Sequence, residues 1–274
     1  MLMVVEPGVR TADVHKIALE KCYLYPGEPS SSDSSFIGGN VATNAGGLKA
    51  VKYGTTRQHV LGLEIVTPEG EVVNLGGKLK KDSTGYGLTQ LMIGSEGTLG
   101  VVTKVLLKMV PRSKHVVDLL AVFPSAESAI NIVAKVMQSP IHPLCVEFMD
   151  NKGIRCAEAF LNEKLPHSDK GYYVILSIDG NNEEVLDDQC VFIDELCTTN
   201  GALEVLVADP VKIWKARKSF GEANRARSLI FSAEDTVVPM SCIPEVVHKL
   251  AELGAKYGVN IHIAAHAADG NVHA

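Results

Sequence analysis

Several features that identify common classes of protein are missing from this chain of 274 residues. Its six cysteines form no C-x-x-C pair, so a disulfide framework, a zinc ribbon and an iron–sulfur cluster all lack support. Neither G-x-G-x-x-G nor a Walker A sequence occurs, and a Rossmann or P-loop nucleotide site is therefore unsupported. Scattered cysteines are typical of reduced, mostly buried thiols, which predicts a cytoplasmic protein.

Basic charge and long apolar runs are also scarce. The net charge is −6, so no basic field favours nucleic acid or an anionic membrane as a partner. The opening residues MLMVV are apolar, but Glu6 and Pro7 follow at once, which is too short for a signal peptide or a transmembrane segment. Hydrophobic residues make up 46% of the chain, enough for a sizeable core.

The order of predicted elements favours an α+β fold in two domains, with the boundary near Pro111–Ser113. Residues 1–111 begin with a strand and a helix, continue as a long loop and end in strands. Residues 112–274 alternate strands and amphipathic helices, which predicts helices on one face of a sheet. The predicted strands are Leu2–Val5, Val60–Val66, Glu71–Leu75, Val101–Val110, His115–Phe123, Leu144–Met149, Tyr172–Asp179, Leu203–Ala208 and Asn260–His266. The predicted helices are Thr11–Cys22, a segment capped by Ser125 that runs to Gln138, one capped by Asp150 that runs to Leu161, Glu183–Thr199, Pro210–Glu222 and Pro244–Tyr257; the loop runs to Gly54.

That long loop contains the stretch GGNVATNAGGLKAVKYG, Gly38 to Gly54, with five glycines. Glycine lets a backbone approach a ligand closely, and consecutive main-chain N–H groups can form an anion-binding nest. A loop that needs small residues only for packing is the alternative. A second glycine-rich turn, GSEGTLGVVT at Gly94–Thr103, and the Pro26-Gly27 pair favour the ligand-binding interpretation.

The end of the chain, AAHAADGNVHA, places His266 and His273 seven residues apart around a D-G-N turn. A strand followed by a tight turn could bring both imidazoles to one point, and imidazole is a common ligand of divalent metals. Two histidines are too few for a complete metal site, and two unrelated loop histidines are the alternative.

Two long stretches carry a specific resemblance. PGEPSSSDSSFIGGNVATNAGGLKAVKYGTTRQHVLGLEIVTPEGEVV and KKDSTGYGLTQLMIGSEGTLGVVT resemble the FAD-linked oxidase family of the vanillyl-alcohol oxidase (PCMH) type, in the branch of D-lactate dehydrogenases and glycolate oxidase catalytic subunits. The resemblance implies the second part of a PCMH-type FAD-binding domain, residues 1–111, and an α+β substrate domain with a mostly antiparallel sheet, residues 112–274. Carried over by position, it implies FAD contacts at Pro26, Gly27, Gly38, Gly39, Asn40, Thr43, Asn44, Gly46, Gly47, Tyr53, Gly54, Glu96, Gly97, Gly100 and Val101.

The same resemblance assigns the second domain to substrate binding. The family's metal signature H-x-x-G-D-G-N-x-H matches His266 and His273, with Ala268 where the family usually has glycine. It implies a divalent metal, Zn, Fe or Mn. Arg217, in the W-x-x-R pattern of IWKARKSFGEANRAR, resembles the arginine that binds the substrate carboxylate; an exposed helix charge is the alternative. Glu234-Asp235 resembles a segment of the same family. Its expected role is structural, and its closest involvement would be to line the substrate site.

The implied function is oxidation of a D-2-hydroxy acid of the D-lactate or glycolate type, by hydride transfer to flavin N5. Electrons would leave to an electron-transfer flavoprotein, a cytochrome, a quinone or an iron–sulfur subunit. The resemblance also implies that a first FAD subdomain, a third metal ligand and a general-base histidine lie outside this chain, as in a fragment, a split subunit or an incomplete gene model. The alternatives are a non-catalytic remnant or binding subunit, and a same-fold FAD enzyme with other chemistry such as alkyl transfer.

Overall fold

The computed structural model describes all 274 residues and divides the chain into two units, Met1–Arg112 (unit 1) and Ser113–Ala274 (unit 2). Unit 1 has a four-stranded antiparallel sheet in the order β1-β5-β3-β4 and a short two-stranded pair of β2 with β6. Its strands are β1 (Leu2–Val5), β2 (Tyr23–Leu24), β3 (Val60–Val66), β4 (Val72–Gly76), β5 (Val101–Lys108) and β6 (Val110–Pro111). Its helices are α1 (Thr11–Glu20), α2 (Ile37–Thr43), α3 (Ala50–Tyr53), α4 (Thr56–His59) and α5 (Leu88–Met92).

One face of the unit 1 sheet forms the core. Along β5, Val105 and Leu107 are fully buried, whereas Lys104 and Lys108 are exposed. This alternation is typical of an antiparallel strand with one covered face. The buried side chains pack in one cluster with residues of α1 and α2, including Val14.

The prediction of a continuous loop up to Gly54 was wrong, because α2 and α3 lie within it. Helix α2 buries Ile37 and Val41, which are four residues apart and therefore share a helix face. Its first N–H groups are bonded by tertiary contacts, from Ile37 to Val9 O and from Gly38 to Pro7 O. Such partners are distant in sequence, so a glycine-rich segment with low intrinsic helix propensity gave no local helix signal.

Unit 2 is built on a seven-stranded antiparallel sheet in the order β10-β7-β9-β8-β12-β13-β11. The strands are β7 (His115–Phe123), β8 (Cys145–Met149), β9 (Tyr172–Gly180), β10 (Glu204–Val207), β11 (Asp235–Val237), β12 (Ala264–His266) and β13 (Asn271–His273). The helices are α6 (Ala126–Gln138), α7 (Asn151–Leu161), α8 (Glu183–Thr199), α9 (Pro210–Lys218), α10 (Phe220–Arg227) and α11 (Ile243–Tyr257). No helix of either unit has the length and apolar character needed to cross a bilayer.

Helices cover both faces of the unit 2 sheet, so the prediction of helices on one face only was wrong. Helices α6 and α8 contact β7 and β9. On the other face, Leu120 and Ile175 of the same two strands pack with α7, α9 and α10. The central strands are therefore buried on successive residues, not alternate ones. Continuous apolar runs such as LLAVF carry this signal, since they are typical of strands buried on both sides.

Local signals set the ends of the unit 2 helices. Ser125 and Asp150 each accept a bond from the backbone N–H three residues on, as capping residues do, and such a cap typically stabilises a helix by about 1 kcal/mol. The predicted helix Pro210–Glu222 is instead two helices that meet at Ser219. The Ser219 hydroxyl donates to Ala216 O at this break, and the second helix packs Phe220 against α7.

Candidate functional site

In unit 1, the two glycine-rich stretches pack directly against each other. Main-chain N–H groups of the turn Gly94–Gly100 donate to the last turn of α2, from Gly94 to Val41 O at 3.0 Å and from Glu96 to Ala42 O at 2.9 Å. Glu96 adopts a positive φ of 52° in this turn. Two segments that lie about fifty residues apart in sequence thus form one surface, which we call the glycine surface: residues 38–47 with residues 94–101.

Asn44 connects this surface to the segment that follows α3. It ends α2 in the left-handed conformation, and its Oδ1 accepts bonds from Thr55 Oγ1 and from Arg57 N, both at 2.9 Å. Arg57 in turn donates from Nη2 to Ile93 O at 2.7 Å, next to the glycine turn. The Oδ1 atom of Asn44 thereby joins α2 to the segment after α3.

The Pro26-Gly27 segment approaches the other end of the same surface. A Cβ atom added to Gly47 would lie 2.0 Å from Glu28 O, so only glycine allows this close approach of two main chains. The side chains of Lys49 and Glu28 form an ion pair at the same place. His15 Nε2 lies 2.9 Å from Gly27 O and ties the segment to α1.

The remaining predicted cofactor residues in unit 1 have varied surroundings. Asn40 is buried and donates from Nδ2 to Thr11 Oγ1 at 2.8 Å, which fixes α2 against α1. Thr43 donates to Gly39 O within α2. Tyr53 and Gly54 end α3, and Gly97, Gly100 and Val101 lie in the turn and at the start of β5.

The glycine surface fits a group that approaches the main chain closely. A Cβ atom added to Gly39 would meet nothing within 4 Å, and one added to Gly46 only a Thr55 methyl group at 3.9 Å. Unlike Gly47, these two glycines are not required by the packing of unit 1, and neither has a positive φ. The space above them is open to a ligand, and a side chain there would fill it.

In unit 2, a buried carboxylate, Glu147, joins two of the predicted site residues. Glu147 lies in β8 and is 1% exposed. Arg217 Nε donates to its Oε2 at 2.8 Å, and its Oε1 lies 2.7 Å from His266 Nδ1. A buried carboxylate is costly unless it is paired, and here each oxygen has a charged or polar partner.

Arg217 is itself buried, at 5% exposed, which rejects the exposed helix charge considered from the sequence. Its neighbours Ile213 and Ala216 lie in the core, so α9 directs the arginine onto the sheet. The Nη2 atom lies 2.8 Å from Glu147 Oε2, yet its N–H groups have no hydrogen-bond acceptor. The distance is that of an ion pair, and the donors remain for another partner.

The two predicted metal-binding histidines lie side by side on a hairpin. His266 ends β12, His273 ends β13, and their ring centroids are 5.0 Å apart in an edge-to-face arrangement. His273 Nδ1 lies 3.1 Å from Asp235 Oδ1, on the neighbouring strand β11. Each imidazole therefore has Nδ1 against a carboxylate, an arrangement that metal-binding histidines commonly show.

The hairpin turn tolerates Ala268, which is not among the residues with positive φ. The turn instead requires glycine at Gly270, where φ is 91° and an added Cβ would lie 2.1 Å from Val238 O. Burial and the nearby Arg217 and His266 lower the pKa of His273 to about 4. A neutral imidazole, which a metal requires, is therefore its form at neutral pH.

Sequence reasoning missed Glu147 and treated Asp235 as structural. The signal for Glu147 was present, since LCVEFM places one carboxylate in an otherwise apolar strand, and such a charge is rarely buried unless paired. No group of three or more His, Cys, Asp or Glu side chains in the chain is arranged to hold a metal ion. The site residues thus form a glycine surface in unit 1 and an Arg217–Glu147–His266–His273 cluster in unit 2.

Comparison with known proteins gives both units a counterpart. A family model described as "FAD linked oxidases, C-terminal domain" matches residues 112–274, and one described as "FAD binding domain" matches residues 1–76. D-lactate dehydrogenase of Anaerostipes hadrus is 37% identical over 278 residues, and glycolate oxidase subunit GlcD of Bacillus subtilis is 37% identical over 273 residues. Each alignment covers 98% of this chain and 58% of the relative, so the chain spans less than two thirds of their length.

A solved structure shares the fold. Alkyldihydroxyacetonephosphate synthase superposes with a TM-score of 0.78 at 18% identity, over all of this chain and 57% of that one. Identity this low supports a common architecture and carries no information about the reaction.

Proposed function

This chain belongs to the FAD-linked oxidases, and from that premise we propose that it contributes to the oxidation of a D-2-hydroxy acid of the D-lactate or glycolate type. The observation that carries the proposal is the buried cluster in which Arg217 and His266 share Glu147. A guanidinium and two imidazoles suit a small acid that carries a carboxylate and a hydroxyl group. The names of the D-lactate dehydrogenase and glycolate oxidase relatives support the substrate class.

The glycine surface is our candidate for holding FAD. Gly39 and Gly46 would let the cofactor contact the main chain, and the positions implied by the family resemblance surround them. Asn40 and Asn44 serve the surface indirectly, because their side chains are bonded to Thr11, Thr55 and Arg57. Bound FAD supplies the acceptor for hydride from C2 of the acid, and the chain's task is orientation and electrostatics.

In unit 2, the Nη donors of Arg217 would bind the substrate carboxylate. His266 and His273 would serve, through Nε2, as two ligands of a divalent metal such as Zn, Fe or Mn, since each Nδ1 is engaged by a carboxylate. A metal so held supplies Lewis-acid polarisation of the substrate hydroxyl. Two imidazoles are an incomplete ligand set, and we assign no general base among the residues of this chain.

We further propose that this chain is cytoplasmic and that its electrons leave to an electron-transfer flavoprotein, a cytochrome, a quinone or an iron–sulfur subunit. GlcD of Bacillus subtilis is named as a subunit of glycolate oxidase, which supports an acceptor on another chain. Two alternatives make different predictions. A non-catalytic subunit would contain no flavin, and a same-fold enzyme of other chemistry would not depend on His266 and His273.

The test is a visible absorbance spectrum of the purified chain before and after D-lactate is added. Flavin bands are the expected result, and bleaching by D-lactate is not required of this chain because we assign no general base to it; bleaching that is lost in His266→Ala would be the strongest support. His248→Ala is the matched control, because His248 is exposed on α11 and belongs to neither site. Flavin that D-lactate bleaches equally in the unmodified chain and in His266→Ala would contradict the proposed role of His266, and a chain without flavin would favour the non-catalytic alternative.

A further inference from the structure

Glu147 contacts both the proposed carboxylate-binding residue and a proposed metal ligand. Its Oε2 accepts from Arg217 Nε, and its Oε1 lies against His266 Nδ1. We propose that Glu147 is a positioning residue that holds Arg217 and His266 in a fixed relation, so that the guanidinium and the imidazole act as one unit. This inference rests on the proposed function, because the roles of Arg217 in carboxylate binding and of His266 in metal binding are part of that proposal.

The elements around Glu147 are suited to such a role. Glu147 and His266 are opposite each other in the register of β8 with β12, and opposite residues of antiparallel strands have side chains on the same face. Arg217 reaches the same carboxylate from α9, which is anchored in the core by Ile213 and Ala216. A site built on strands and a packed helix is held more precisely than one on loops.

The carboxylate determines what each partner can offer. A carboxylate can only accept, so His266 must carry its proton on Nδ1, and Nε2 is the ring nitrogen left for a metal. Likewise, Arg217 uses Nε on Glu147, and its Nη2 group lies 2.8 Å from the same carboxylate oxygen without a hydrogen-bond acceptor. The negative charge also compensates the buried guanidinium, which would be costly alone.

Glutamine cannot replace Glu147 in this arrangement, although it has nearly the same shape. Two donors, Arg217 Nε–H and His266 Nδ1–H, converge on the side chain, and a carboxamide has one oxygen and one NH2 group. One donor must therefore face another donor and turn away. Aspartate keeps both acceptor oxygens and the charge but is one methylene shorter, so it separates the effect of reach from that of charge.

The first measurement is the two-bond ¹H–¹⁵N spectrum of histidine side chains in the ¹⁵N-labelled, metal-free chain. The expected result is an Nδ1–H tautomer at His266 and an Arg217 Nε–H that exchanges slowly with solvent. Glu147→Gln should alter both signals together and leave the exposed His248 unchanged. A His266 proton on Nε2 in the unmodified chain overturns the inference, whatever the variants do.

The second measurement is titration calorimetry with Zn²⁺ alone. Loss of a residue that orients a metal-binding histidine typically weakens metal affinity by 10–100-fold, so we expect about this loss in both Glu147→Gln and Glu147→Asp. Glu158→Gln is the matched control, because Glu158 accepts bonds from Leu165 N and Ser168 Oγ and contacts no site residue. Retained affinity in Glu147→Asp would mean that charge alone matters and would overturn the positioning role.

The two measurements separate this inference from the function on which it rests. If the His266 and Arg217 signals respond to Glu147→Gln but the unmodified chain does not bind Zn²⁺, the positioning role stands and the proposed metal site fails. If Zn²⁺ binds and the two signals are unchanged in Glu147→Gln, the metal site stands and the positioning role is overturned.

Discussion

The two units form their candidate sites from different parts of the chain. In unit 1 the glycine surface consists largely of main chain, and its residues are close to one another because side chains are absent, as where Gly47 meets Glu28 O. In unit 2 the cluster consists of long polar side chains, Arg217, Glu147 and His266, that meet on the sheet.

This difference determines how each site should respond to substitution. A surface made of main chain is sensitive to added volume and insensitive to loss of charge, because it contains few buried charges. A buried ionic cluster shows the opposite behaviour, since removal of one member leaves the other without compensation. Four substitutions test the contrast, and they follow in order of decreasing effect on stability.

The largest effect is expected for Arg217→Met in unit 2. Methionine keeps most of the volume but leaves the carboxylate of Glu147 with His266 as its only remaining side-chain partner. Breaking a buried ion pair by removing one member typically costs about 3–5 kcal/mol, and we expect a loss of this size in the free energy of unfolding by urea denaturation. Lys212→Met, at an exposed position of the same helix, should change stability by less than about 0.5 kcal/mol. Equal effects of the two variants would contradict the description of a buried cluster.

Asp150 provides a second buried charge in unit 2 and makes its stability depend on pH. Burial raises the pKa of Asp150 to about 7, against the ordinary value of 3.8, although its backbone bonds to Gly153 and Ile263 act in the opposite direction. Because the folded-state pKa lies above the unfolded one, this group stabilises the fold below about pH 4, and that contribution is lost as pH rises to about 7.

We therefore expect Asp150→Asn to flatten this part of the pH profile. Asparagine is also a good N-cap residue, so the bond from Gly153 N can be kept while the buried charge is removed. The variant should gain on the order of 4 kcal/mol relative to the parent chain between pH 4 and pH 8, measured by urea denaturation at each pH. A difference that does not change with pH would show that Asp150 is ionised in the folded state throughout.

Sequence reasoning succeeded where the deciding interactions are local. The helices capped by Ser125 and Asp150 have the predicted ends, because a cap and an apolar periodicity lie within one short window. The pairing of His266 with His273 was also accessible, since one tight turn joins them.

Sequence reasoning failed where partners are distant. Helix α2 depends on bonds from its first residues to Pro7 and Val9, and composition alone indicated a loop. Glu147 meets Arg217 across 70 positions, so its role follows from strand register and helix packing that no local pattern contains. Similarly, the glycine-rich stretch is visible in the sequence, but its glycines look alike there. Only the structure shows that the fold requires glycine at position 47 and does not require it at position 39.

Gly47→Ala tests added volume where unit 1 has no room. The new Cβ would lie 2.0 Å from the main-chain oxygen of Glu28, so one of two backbones must move. Overpacking of this kind typically costs about 1–3 kcal/mol, and thermal unfolding should show a lower midpoint with or without FAD. An unchanged midpoint would mean that the Pro26–Glu28 segment adjusts freely.

Gly39→Ala sharpens the comparison, because it adds the same methyl group to the same surface where unit 1 has space. Within α2, alanine should stabilise the helix by about 0.5–1 kcal/mol relative to glycine, and no neighbour lies within 4 Å of the new carbon. We therefore expect a slightly higher thermal midpoint for the metal- and flavin-free chain, together with weaker binding of added FAD, measured by the quenching of flavin fluorescence. Loss of both stability and binding would indicate damage to the fold, as in Gly47→Ala. A gain in stability with unchanged FAD binding would remove Gly39 from the proposed cofactor contacts and leave the glycine surface with a structural role at this position.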